Sequence, residues 1–114
     1  MLQTLTTPRG ETLSGTPWQV YPRPQMRRDS YINLNGEWDF AVSSGKPETF
    51  DMRITVPFCP ESRLSGIGRH FEEGAPLWYR RRFLLPEGFR RKRVLLHIGA
   101  ADQIAEVFVN GQYL

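Results

Sequence analysis

The chain has 114 residues, 39% of them hydrophobic and 24% charged, with a formal net charge of +3. That length admits one domain and no more, and that composition argues against disorder. A single cysteine, Cys59, excludes an internal disulfide, and no apolar run approaches the ~18 residues of a membrane span. A domain of this size buries roughly 60–70% of the surface its unfolded chain exposes, so one core is affordable but not generous. Aromatic residues make up 12%, with three Trp, which suits a sandwich core, a buried partner surface or a sugar-stacking platform. No charged leader and apolar stretch opens the sequence, so the expected location is cytoplasmic.

Residues 1–29 carry Pro8, Pro17, Pro22 and Pro24 among polar residues. Proline offers no ladder donor and holds its predecessor extended, so an extended arm is expected, with Trp18, Val20 and Tyr21 as anchors. Residues 30–114 are expected to form the domain proper. Asn35-Gly36 reads as a turn, after which Trp38, Phe40 and Val42 alternate with Asp39 and Ala41 as a strand with one apolar face. Residues 43–47 are loop by composition, and 53–57 form a short strand closed by Pro57.

Residues 58–76 have no clean period; prolines at the start and glycines further on predict an ordered loop rather than a helix. Loops of that length in a small domain are functional or disordered. A strand over 78–85 follows, stopped by Pro86, and the basic run Arg90-Arg91-Lys92-Arg93 leads into 94–98, apolar enough for a strand covered on both faces. Residues 105–109 are a further strand, and Asn110-Gly111 tolerates the positive φ of a two-residue hairpin turn. Gln112-Tyr113-Leu114 begins the return. A hairpin ending on its first returning residues predicts a piece of a longer protein. With short strands, turn signals between them and no helical period, the expected class is all-β: a jelly-roll-like antiparallel β-sandwich, incomplete at its C-terminus.

Several segments, in this order, carry a family resemblance. They are Tyr21-Pro22-Arg23-Pro24-Gln25, Asn33-Leu34-Asn35-Gly36-Glu37-Trp38-Asp39-Phe40, Val56-Pro57-Phe58-Cys59-Pro60-Glu61-Ser62, Leu64-Ser65-Gly66-Ile67-Gly68, Trp78-Tyr79-Arg80-Arg81 and Val107-Phe108-Val109-Asn110-Gly111. Together they resemble the N-terminal sugar-binding domain of glycoside hydrolase family 2, which includes β-galactosidases, β-glucuronidases and β-mannosidases. The resemblance implies a jelly-roll sandwich preceding an immunoglobulin-like domain and a (β/α)₈ barrel. In such enzymes two barrel glutamates hydrolyse β-linked O-glycosyl bonds with retention. Residues 1–114 hold neither the barrel nor its glutamates, so no catalytic residue is assigned to them. A free-standing carbohydrate-binding module and a small basic nucleic-acid binder are the rival readings.

By the same resemblance, the loop over 58–76 approaches the active-site mouth, with Glu61, Arg69, His70 and Glu72 as substrate-binding candidates. Its alternative role is to seal the domain against the barrel. Glu72 and Glu73, adjacent in a loop, cannot be credited with the ~5–5.5 Å carboxyl pair of a retaining glycosidase. His70 and His97 are too scattered for a metal or nucleophile constellation, so neither metal nor cofactor is expected. Cys59, between Phe58 and Pro60, is expected to be a buried inert thiol. Packing outweighs sugar stacking for Trp38 and Trp78. The runs at 80–82 and 90–93 read as solvated strand edges, because no groove-entering helix or interleaved exposed aromatics accompany them. The expected partners are therefore a carbohydrate and the remaining domains of a parent enzyme, not nucleic acid or membrane. An open sheet edge would in addition recruit a second copy.

Overall fold

The apolar alternation around Trp38 builds the centre of the structure. A computed structural model describes residues 6–16, 19–20 and 23–114. Strand β1 (Gly36–Val42) is flanked on one side by β2 (Met52–Val56) and on the other by β3 (Leu77–Arg80), all antiparallel. The register sets Trp38 opposite Ile54, and Phe40 opposite both Met52 and Tyr79. Directly opposed residues share a face, so these side chains make one apolar surface. Phe40 and Ile54 are buried at 0% and 1% exposure, and the Tyr79 ring meets Phe40 edge-on at 5.1 Å. The opposite face presents Glu37 and Asp39 against Thr55 and Arg53, with Arg80 across from Asp39.

The chain divides into two units, Met1–Phe83 and Leu84–Leu114. The first contains the three-stranded sheet. It also contains one helical turn, α1 (Pro8–Thr12), where the sequence suggested extended backbone. Thr7 caps α1 by accepting from the Gly10 N–H at 3.0 Å, and Pro8 occupies the first turn, where no donor is needed. Of the expected arm anchors, Trp18 and Tyr21 lie outside the described residues, and Val20 is exposed.

The second unit holds a hairpin of β4 (Phe108–Val109) and β5 (Gln112–Tyr113). Asn110 and Gly111 take φ of 51° and 80°, the positive pair that a two-residue turn between right-twisted strands demands. Phe108 and Tyr113 pack edge-on at 5.4 Å across it.

Three strand expectations are corrected. The strand expected over 78–85 ends at Arg80, because beyond the Asp39–Arg80 pair residues 81–85 find no strand to bond to among the described residues. Residues 94–98 join no ladder, and Val94, Leu95, Leu96 and Ile98 are exposed. Their β-propensity is real but carries a strand only where a partner pairs with it. The strand placed at 105–109 is confined to Phe108–Val109. The architecture is β-rich, with few helical turns, two antiparallel sheets and no closed barrel among the described residues. No helix among them is long and apolar enough to cross a membrane.

Candidate functional site

The long loop covers the apolar face of the sheet and is ordered by its own hydrogen bonds. It leaves β2 through a turn in which the Phe58 N–H donates to the Thr55 carbonyl at 3.1 Å. A second turn follows at 59–62, and a short 3₁₀ segment (Arg63–Ser65) is capped by the Ser62 hydroxyl. Gly66 closes that segment at φ 84°, a left-handed conformation in which a side chain is strained. Ser65, 1% exposed, sits at the centre: its hydroxyl lies 2.7 Å from the Ser62 carbonyl and 3.2 Å from that of Pro60, and accepts from the Ile67 N–H at 3.0 Å. The Arg69 N–H then returns to the Pro60 carbonyl at 3.2 Å. Phe71 delivers the loop to the core, its ring 5.7 Å from that of Phe40.

These turns bring Glu61 and His70 together, with His70 Nδ1 3.4 Å from Glu61 Oε1 on an exposed surface. Glu61's own backbone N–H holds its carboxyl below the ordinary value of 4.5, with smaller contributions in the same direction from Cys59 and His70. Tyr79, 40% exposed, feels the charge of Glu61. Burial pushes its hydroxyl above 10.0, and the charges of Glu61 and Cys59 add to that shift. Arg69 and Glu72 do not join the pair. The Arg69 guanidinium lies 4.8 Å over the Phe71 ring and donates to Met52 Sδ at 3.5 Å, while the Glu72 carbonyl accepts from Ala75 in a surface turn. Cys59 is exposed, contrary to expectation, because the residue that the turn buries is its neighbour Pro60. Among the described residues no group of three His, Cys, Asp or Glu could hold a metal ion.

Both tryptophans with described surroundings are tied by their indole N–H groups: Trp38 donates to the Leu34 carbonyl at 2.7 Å, and Trp78 to that of Ser43 at 2.9 Å. Trp78 thus braces the connection after β1.

The other face of the sheet carries a cluster that the sequence did not reveal. Asp39 accepts from Arg80 Nη2 at 2.8 Å and from Arg53 Nη1 at 3.0 Å, and Arg53 also reaches Glu37 at 3.2 Å. Arg80 further stacks over the Phe50 ring, 4.1 Å from its centroid. With Arg81 and Arg82, these residues line an open groove of ≈ 300 Å³. The cross-strand register was the missing signal, since it sets Asp39 between Arg53 and Arg80.

Arg81 has a distinct task. Its Nη1 donates to the carbonyls of Leu34 at 2.7 Å and Asn35 at 2.9 Å, fixing the entry to β1. Gly36, at φ 126°, leaves room for it: a Cβ there would stand 3.1 Å from that Nη1. A lysine side chain ends one bond short of Nη1, so its ammonium does not reach the point between the two carbonyls from the same backbone position. Arg81→Lys is expected to cost about 1–2 kcal/mol, read as a lowered melting temperature; an unchanged melt would deny Arg81 this clamp.

No protein-family model matches the sequence, and no curated protein matches it.

Proposed function

We propose that this chain is the N-terminal sugar-binding and scaffold domain of a family 2 glycosidase, an enzyme class that hydrolyses β-linked O-glycosyl bonds. The observation that carries the reading is the ordered set of segments from Asn33 to Gly111. Each of them has a defined structural task, which supports treating the set as one pattern. Asn33 to Phe40 bring in the central strand, and the Asn33 side chain turns the backbone by accepting from the Asn35 N–H at 2.8 Å. Leu64 to Gly68 surround the buried Ser65 hydroxyl, Trp78 to Arg81 supply the Ser43 brace and the β1 clamp, and Asn110-Gly111 make the hairpin turn. In this reading the three-stranded sheet belongs to a jelly-roll sandwich, and the catalytic glutamates reside on a barrel encoded further along the same frame.

The Glu61–His70 pair on its ordered loop is the part of this domain that approaches the sugar. An exposed carboxylate and imidazole on a braced loop can hydrogen-bond sugar hydroxyls without reorganising. Two assays test the proposal. The purified chain should hydrolyse no aryl β-galactoside, β-glucuronide or β-mannoside; turnover abolished by substituting Glu61, Glu72 or Glu73 would refute it. In the full-length parent, joint replacement of Glu61 and His70 by alanine should lower kcat/KM about tenfold, the ~1.4 kcal/mol of one good hydrogen bond. Unchanged kinetics with a lower melting temperature would leave the loop a seal only. A frame that encodes no barrel, in a chain that binds glycans, would favour the free-standing carbohydrate-binding module.

A further inference from the structure

The groove on the charged face of the sheet is electrostatically unbalanced. Its two carboxylates, Glu37 and Asp39, face four guanidinium groups, those of Arg53, Arg80, Arg81 and Arg82. Asp39 and Glu37 are taken up by Arg53 and Arg80. Arg81 spends its hydrogen bonds on neutral carbonyls, which fix its position without cancelling its charge. Arg82 is exposed and makes no ion pair or hydrogen bond among the described residues. Two positive charges are left over, side by side at the end of β3.

Two of the four cations, Arg80 and Arg81, are also held in place before any ligand arrives, whereas Arg82 is left to swing onto it. Asp39 grips Arg80 through both Nε at 2.9 Å and Nη2 at 2.8 Å, and the Phe50 ring backs it. Side chains ordered in advance lose little entropy on binding. Guanidinium forks match the oxygens of phosphate groups, and a desolvated or rigid fork recognises them better than a mobile ammonium.

We propose that this groove binds a doubly charged oxyanion, with the chemistry of phosphate or a phosphate monoester, at the Arg81–Arg82 end. The two carboxylates, already engaged, keep the anion from sliding along β1 toward Glu37. A dianion cancels the excess charge, which a single carboxylate would only halve. This site is independent of the glycosidase reading, because it lies on the face of the sheet opposite the 58–76 loop.

The test is a titration of the full chain with inorganic phosphate and, separately, glucose 6-phosphate, followed by amide chemical shifts at fixed ionic strength. Saturable shifts confined to 37–39, 53 and 80–82 are expected. Arg82→Gln should weaken binding about fivefold, the upper range for one exposed ion pair, and Arg82→Lys should restore part of it. Arg90→Gln, an exposed arginine of the second unit, should change nothing. Tighter binding of the ester assigns the sugar phosphate as the source; equal binding assigns the inorganic ion. Scattered or unsaturable shifts, or equal weakening by Arg90→Gln and Arg82→Gln, would overturn the site and leave only a solvated ion-pair network.

Discussion

Replacing Phe40 with alanine is expected to cost about 3–5 kcal/mol, the largest loss any single substitution in this chain should produce. Phe40 is 0% exposed at the middle of β1, the only strand of the sheet with two neighbours. Its ring touches Tyr79 of β3 edge-on at 5.1 Å and Phe71 of the long loop at 5.7 Å, so it joins the sheet to its cover. Among the described residues, Ile54 is the other large hydrophobic side chain that is fully buried. Small domains are stable by only about 5–15 kcal/mol, so the loss takes much of the margin. Denaturant unfolding followed by tryptophan fluorescence gives the reading, with Phe40→Leu as the milder control. A Phe40→Ala midpoint within error of the unsubstituted protein would mean the sheet does not depend on this ring.

The centre of the fold was legible because local pattern and pairing agree there. Trp38, Phe40 and Val42 alternate with polar residues, and the register places their face against Met52, Ile54 and Tyr79. The Asn110-Gly111 turn was legible for a different reason: few residues accept positive φ at two successive positions. Residues 94–98 show the limit of such reading. An apolar, β-branched run states what a strand would contain, but only a neighbouring chain supplies the hydrogen bonds that make one. Thr7 before Pro8 is a start signal in itself, but α1 is one turn, too short to show the period by which a helix is read in a sequence.

The two candidate surfaces differ in the same way. Order in the loop could be read from its prolines and glycines, yet the meeting of Glu61 and His70 depends on the Arg69 N–H finding the Pro60 carbonyl, which no spacing announces. The arginine groove was hidden by contiguity. Arg80, Arg81 and Arg82 look alike along the chain, but the fold gives them a carboxylate, two carbonyls and, among the described residues, no partner respectively. Charge along a sequence is additive, whereas charge in a groove depends on which groups the register has already neutralised.

The second large effect is expected at Ser65, where a change of one oxygen atom should loosen the whole loop. The Ser65 hydroxyl is buried, donates within a pair of carbonyls belonging to Ser62 and Pro60, and accepts from the Ile67 N–H. Alanine fits the space but takes away the oxygen to which the Ile67 N–H donates, while the two carbonyls keep the backbone donors of residues 65 and 69, a cost of about 1–3 kcal/mol. The consequence is directional. The Pro60 carbonyl also receives the Arg69 N–H, and that bond sets His70 beside Glu61, so strain at Ser65 passes to the pair through two adjacent residues. Phe71 and Phe40 lie beyond that junction and should hold the sheet together. Ser65→Ala is therefore expected to lower the melting temperature and, before that, to speed amide exchange at Ile67 and Arg69 while leaving the Phe40 amide protected. The Glu61 carboxyl should at the same time lose the smaller share of its lowering that comes from His70, while the larger share from its own backbone N–H stays. Because a lowered carboxyl stabilises the fold above its ordinary pKa and ceases to do so as pH falls through its folded value, Ser65→Ala should also flatten the acid limb of the stability curve. Uniform exchange across loop and sheet, with an unmoved Glu61 titration, would show that the Ser65 hydroxyl does not organise this loop.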